Sequence, residues 1–415
     1  MRALALLLLF ATAAPAGERP IQLGGWIGHY DPATVPLWPQ RLQLLKGGAD
    51  SEGPLIAEAR RRAAAAGNPA RFVFYLSFSS LDGGCGCFES DVLARLQREH
   101  PSFVLRDQHG APVSTFLDRL PRGRQLAVDV GNRDYVDAWA DVVLAEAKRH
   151  GWDGVWADNV VRGRFDASWS AVPVDPRSGA AYRPEDYRRD MLAALRRLRH
   201  RLGDERKLLL VNHSSAWRSF EDEPLLRDQV QAVDGVEIED FAYTFSGTPH
   251  SEADWMRQLR YLVFANAHGV LTWVEGGNGA FMEPAKREYV LASYLLTRAG
   301  RSVVGDLNAV KTWWPALTTD PGEPAGDFYC LDPARDFARA DSCPAAGRVY
   351  RRDFAHARVL VNPSDSAVRV PLGGAYHDLD GREAVDPLPL APHAGRVLVG
   401  DAHTASRTSS GRAGR

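Results

Sequence analysis

No basic stripe runs through this sequence. Its 50 Lys and Arg are balanced by 52 Asp and Glu, giving a formal net charge of -2. That balance argues against a nucleic-acid or anionic-membrane partner. The one Arg-dense run, Arg183 to Arg206, reads as the solvated face of a helix. GxGxxG and Walker patterns are missing, which disfavours a dinucleotide or P-loop fold. There is no HExxH and no paired-His spacing, so nothing supports a metalloenzyme. There is no GxSxG elbow, which disfavours a serine hydrolase. The expectation is a protein that works without metal or cofactor.

Cysteine is scarce, four in 415 residues, but even in number, as suits an oxidising compartment. Cys330 and Cys343 bracket a Pro- and Asp-rich loop, and Cys85 and Cys87 stand one residue apart in GGCGC. A bridge between such near neighbours is strained. Four cysteines allow three pairings, and spacing does not choose among them. A CxC metal site would need further soft ligands nearby, and none is apparent.

Only the N-terminus has a long apolar run. Arg2 is followed by apolar residues from Ala3 to Ala14 and by the small-residue pattern Ala14-Pro15-Ala16. This reads as a signal peptide over residues 1–16 of a secreted or periplasmic, soluble, monomeric protein with no membrane contact after cleavage. An uncleaved anchor is the alternative. No lipobox cysteine follows.

Strand-length apolar runs alternate with helical stretches. The strands expected are 21–30, 71–78, 126–130, 153–159, 207–213, 235–241, 269–275 and 301–306. Between them lie YVDAWADVVLAEAKRHG, PEDYRRDMLAALRRLRHRLG and AKREYVLASYLLTRAG, whose apolar residues recur at three- and four-residue steps. Asn132 and Glu185 suit first turns, and Gly151, Gly203 and Gly300 suit helix ends. Eight all-apolar strands, each followed by a helix, predict an α/β protein with a (β/α)8 TIM barrel over residues 17–344. An open doubly wound sheet is the competing architecture. From residue 345 to 400 short alternating runs with Pro, Gly and Asp-Gly turns predict a small antiparallel β-sandwich domain. Residues 401–415 read as a disordered tail.

In such a barrel the C-terminal strand ends carry the chemistry. Here they bear Trp26 and His29, then Tyr75, Asp129, and Asp158 with Asn159. Asn212, His213, Glu239, Trp273 and Glu275 complete the rim. Side chains alternate along a strand, so Asp158 shares a face with Trp156, and Glu239 with Glu237. Asp158 and Glu239 would then face each other across a cleft. Two facing carboxyls are what glycoside hydrolysis needs, one as nucleophile or base and one as acid. Trp26, Tyr75, Trp156 and Trp273 could stack on sugar rings, and Asn159, Asn212, His29, His213 and Asp129 could bind hydroxyls.

Each residue has a plainer reading. Asp158-Asn159 could cap a turn. The long segment after it, Val160 to Arg183, weighs against that, because long βα connections are usually functional or disordered. Glu239 could be a paired structural carboxylate, with Glu275 as its rival, and Glu237 lies deeper and suits a structural pair with an inward Arg or Lys.

The motif GWDGVWADNV resembles the "G-x-DGV-x-x-DN" fourth-strand motif of bacterial glycoside hydrolases with barrel folds, the hypothetical glycosyl hydrolase family 15 group. More distantly it is similar to the endo-α-1,4-polygalactosaminidase-like enzymes. FVLRDQHGAPV, LAVDVGNRDYVDAW and the C-terminal RDFAHARVLVNPSDSAVRVPLGGAYHDLDG are similar to other segments of that group. Arg133 replaces its usual proline, and His356-Ala357 its usual Asn-Gly turn. The resemblance implies a glycosidase-like barrel with Asp158 at the fourth-strand carboxylate position and Glu239 at the sixth. The expected protein is an exported glycoside hydrolase acting on a carbohydrate. A barrel that binds carbohydrate without cleaving it and a lyase are the alternatives.

Overall fold

The computed structural model describes residues 21–26, 42–48, 52–82, 91–115, 125–160, 169–213, 215–276, 283–305, 314–340, 343 and 348–400. The expected signal peptide, His29, Cys85, Cys87 and the C-terminal tail lie outside the described residues. Trp26 is described only in its backbone.

Eight parallel strands close into a barrel. They are β1 (Leu23–Trp26), β2 (Leu44–Gly48), β3 (Arg71–Ser77), β6 (Gly154–Asp158), β7 (Leu208–Asn212), β8 (Gly235–Ile238), β9 (Leu271–Glu275) and β10 (Ser302–Gly305). Two shorter strands, β4 (Ser80–Asp82) and β5 (Gln125–Ala127), pair antiparallel outside the ring.

One expected strand is therefore corrected. LAVDV is not a barrel strand: β5 belongs to an excursion inserted after β3, where Leu105 and Val113 bond to Ala127. Its residues Leu126, Ala127, Val128 and Val130 are buried in the main hydrophobic core. The second barrel strand is LLKGG of β2, which the sequence reading passed over. A lysine and two glycines in five residues look like a break, yet all five are buried. Asp158 and Glu239 keep their expected places, at the ends of the fourth and sixth strands of the ring.

Helices shield the barrel. The helix Arg133–His150 starts where Asn132 accepts from the backbone N–H groups of Asp134 and Tyr135, and stops at left-handed Gly151. In Pro184–Asp204 the residues Tyr187, Met191, Leu195, Leu198 and Leu202 are buried while the arginines face outward. Those arginines meet acids on neighbouring elements, as in Arg197–Asp137 and Arg199–Asp234. Half-exposed pairs of this kind contribute little each. Gly203 falls inside the last turn of this helix rather than beyond it.

The C-terminal part is antiparallel. Strands β11 (Tyr329–Asp332), β12 (Ala338–Arg339), β13 (Val349–Asp353), β14 (Ala357–Asn362) and β17 (Ala394–Val399) form one sheet. Strands β15 (Val368–Val370) and β16 (Leu388–Leu390) form a second. The larger sheet packs on the helix Pro284–Thr297, where Gly395 lies so close to Ala292 that a Cβ would stand 2.6 Å from its methyl carbon. Cys330 and Cys343 are joined by a disulfide, which closes the loop ahead of β13.

Candidate active site

The strand pleat sorts side chains into layers inside the ring. At the bottom Leu44, Val73, Leu210, Leu271 and Val303 pack with Trp156 and Trp273. Above them strand pairing sets Ser77 beside Asp158, Asn212 beside Glu237, and Gly305 beside Glu275. Polar groups gather here because these are the last inward positions before each chain leaves the barrel.

Asp158 is held by its neighbours on either side. The Tyr75 hydroxyl donates to Oδ2 at 2.7 Å, and the Asn212 amide donates to Oδ1 at 2.9 Å. The same Asn212 nitrogen donates to Glu239 Oε2 at 2.8 Å. A side-chain amide nitrogen carries two hydrogens, one for each acid. The nearest oxygens of Asp158 and Glu239 are therefore no farther apart than the sum of two hydrogen bonds, below about 6 Å. Both residues are half-buried and line a cavity of about 210 Å3 with Asn159, Asn212, Ser215, Trp217, Glu237 and Asp240. Phe245, 41% exposed, stands at its mouth.

The two acids are not electrostatically alike. Burial, reinforced by the negative charge of Asp158, pushes Glu239 up to about 8. Burial also raises Asp158, but the Tyr75 hydroxyl, the Asn159 backbone, Lys46 and Asn212 all pull the other way. Glu239 thus holds a proton more readily, and Asp158 carries charge more readily.

Beneath the pair lies Lys46 of β2, fully buried. Its Nζ meets Glu237 Oε1 at 2.6 Å and Glu275 Oε1 at 3.0 Å. It also sits 4.0 Å from the ring centre of Trp156 and 4.9 Å from that of Trp273. Burial works against its charge, but Glu237, Glu275 and Glu239 more than offset that and hold it protonated. Burial works to raise Glu237, and the Lys46 ammonium bonded to it works to lower it. Glu237, Glu239 and Glu275 bring one oxygen each to within 4.8 Å, a spacing a cation can use. The ammonium of Lys46 is the cation that lies against two of them.

The expected residues divide into three groups. Asp158, Asn159, Asn212 and Glu239 line the cavity, and Tyr75 touches Asp158. Trp156, Trp273 and Glu275 are buried around Lys46, below the pair. His213 and Asp129 lie elsewhere. His213 is buried among the helices, its ring bonded to Gln229 and Tyr261. Asp129 follows β5, where it accepts from the Gly131 backbone. Its placement at a barrel strand end falls with the strand itself.

Sequence reasoning missed Lys46, Ser215, Trp217 and Phe245. Trp217 could have been found, since HSSAW puts an aromatic directly after the fifth barrel strand. Its indole donates to Asp240 Oδ1 at 3.3 Å, and His250 bonds the Asp240 carbonyl at 2.7 Å. That pins the cavity wall in place.

No curated protein matches the sequence. Among solved structures, a noncanonic maltogenic α-amylase from Thermotoga neapolitana is 12% identical with a TM-score of 0.52; the match covers 91% of this chain and 98% of that one. A cycloalternan-degrading enzyme from Trueperella pyogenes is 12% identical with a TM-score of 0.48, over 92% of this chain and 63% of that one. At these identities the likeness to the amylase is one of fold. The family match is of another kind: residues 71–358 fit the model described as hypothetical glycosyl hydrolase family 15, and the chain, a (β/α)8 barrel with an acid-lined mouth, belongs to that family.

Proposed function

We propose that this chain is a retaining glycoside hydrolase in which Asp158 is the nucleophile and Glu239 the acid and base. The observation that carries the reading is the single Asn212 nitrogen shared by both carboxylates. It limits their nearest oxygens to less than about 6 Å, which suits a retaining pair at roughly 5–5.5 Å and leaves no room for the water of an inverting pair at roughly 6.5–9.5 Å.

In the first step an Asp158 oxygen attacks the anomeric carbon while Glu239 gives its proton to the departing glycosidic oxygen. The C–O bond breaks and a glycosyl ester forms on Asp158. In the second step Glu239, now ionised, takes a proton from water. The hydroxide character so generated displaces Asp158, which leaves as a carboxylate. Glu239 ends protonated, as it began. The electrostatics support these roles, with Glu239 raised to about 8 and Asp158 supported by more donors.

Tyr75 and Asn212 fix the orientation of the nucleophile. Asn159, Ser215, Trp217, Asp240 and Phe245 are the described residues placed to meet a sugar. The Cys330–Cys343 bridge fits the expectation of export into an oxidising compartment. Among the described residues no helix is long and apolar enough to cross a membrane.

The test is digestion of a glycan panel by wild type and by Asp158→Asn, with NMR of the first-formed anomer. Cleavage with retention, abolished in a folded Asp158→Asn protein, is expected. Inversion, or full activity in that variant, would refute the assignment. Binding of a glycan without cleavage, unchanged in the variant, would favour a carbohydrate-binding barrel instead.

A further inference from the structure

We propose that Lys46 is a positioning residue for this reaction: its ammonium, clamped by Glu237 and Glu275 under the catalytic pair, is the counter-charge that lets Asp158 stand as an anion beside Glu239. The inference rests on the glycosidase reading of the site and deepens it.

The geometry is that of one cation under several acids. Walking round the ring, β3 brings Tyr75, β6 brings Asp158, and β7 brings the neutral amide of Asn212. β8 brings Glu237, with Glu239 and Asp240 just past its end, and β9 brings Glu275. β10 contributes Val303 and Gly305 and β1 contributes Gly24, none of them charged. Lys46 is the lysine or arginine within this layer among the described residues, and its Nζ is fixed by two ion contacts and two aromatic faces. Its field reaches both catalytic acids, lowering each. Several clustered carboxylates without a cation would hold on to protons, and a protonated Asp158 is no nucleophile. Lys46 acts through Asp158.

Glu275 gives a test of opposite sign. Removing the positive charge makes Asp158 harder to ionise. Removing a negative charge beside Lys46 makes it easier. We therefore compare pH profiles of kcat/KM for wild type, Lys46→Met, Lys46→Gln and Glu275→Gln, with folding checked by circular dichroism and thermal melts. The glutamine at position 46 keeps a donor for Glu237 and guards against loss of the fold. The expected result for both Lys46 variants is an acid limb moved to higher pH, with kcat/KM falling about tenfold or more on the acid side of the optimum. kcat carries the loss while KM changes little. For Glu275→Gln the acid limb moves to lower pH. A folded Lys46 variant whose profile overlays wild type would overturn the proposal. If neither Lys46 variant folds, an acid limb of Glu275→Gln that does not move would overturn it.

A second readout needs no substrate. The infrared band of protonated carboxyl groups is titrated in each protein and assigned to Asp158 by its loss in Asp158→Asn. Its midpoint is expected to rise in the Lys46 variants, and an unchanged midpoint counts against the proposal. If wild type cleaves no glycan, the function reading fails while this titration still decides the charge claim.

Discussion

Glu239 should weaken the fold at the pH where it is useful. In an unfolded chain it titrates near 4.5, whereas in the folded site burial and Asp158 push it up to about 8. Between those values the folded protein binds more protons than the unfolded one, so stability falls as pH rises through the window. At 1.36 kcal/mol per unit, the loss reaches about 3 kcal/mol at pH 7 and levels off at about 5 kcal/mol above pH 8. Glu239→Gln abolishes this titration. Gln fills the same volume and still accepts from Asn212. The variant should therefore match wild type in stability near pH 4 and exceed it by an amount that grows to pH 8, while hydrolysis is lost. Urea denaturation of both proteins at several pH values from 4 to 9 measures the difference. A stability difference that does not change with pH would refute the raised Glu239 and, with it, the assignment of the acid.

Three further outcomes follow from single contacts. Asn212→Leu removes the donor shared by both acids; kcat should fall roughly a hundredfold, as for loss of one well-placed donor, and single-turnover kinetics would check it. Cys330→Ser opens a bridge spanning 13 residues, which should cost about 3 kcal/mol in denaturant titrations and leave kcat alone, since the bridge lies in the C-terminal sheet. Gly305→Ala puts a Cβ 2.2 Å from Trp273 Nε1 and 2.8 Å from Glu275 Cγ. That overpacking should cost about 1–3 kcal/mol and disturb the Lys46 cluster, so both Tm and kcat fall; a variant unchanged in both would contradict the packing described.

The position of the proposed pair was legible in sequence because it follows local rules. Asp158 and Glu239 sit at the ends of apolar runs, and two-residue alternation set their faces without any knowledge of the ring. The family resemblance named the same two positions. Lys46 was illegible for a physical reason. A lysine in a five-residue strand is tolerable only with buried counter-charges, and its partner Glu237 lies 191 residues away. No window of sequence contains both. LAVDV misled in the opposite way. Its apolar residues are buried in the main core, but the strand pairs outside the ring, and a short apolar run does not say which strand it pairs with. In sequence Trp156 and Trp273 suit sugar platforms, because the apolar C–H faces of sugar rings stack on indoles, but the structure buries both around Lys46. Alternation placed them on the correct face, but depth along the barrel axis is set by strand stagger, which sequence does not reveal.

Depth is also what separates the roles of these acids. Taking a lysine and two glutamates out of water is a weak route to stability, and apolar side chains of like size would pack beside Leu44, Val73 and Val303 at no electrostatic cost. What such side chains could not do is make the layer above asymmetric. Among the described residues Asp158 accepts a side-chain bond on each oxygen, from Tyr75 and from Asn212, while Glu239 accepts one. A cation from below then makes ionisation possible, and the donor count decides where the charge goes first. Remove the cation, and donors alone must support the anion; remove the donors, and the cation no longer distinguishes one acid from the other. The proposed roles of the two carboxyls rest on that difference in environment, which pushes their proton affinities apart.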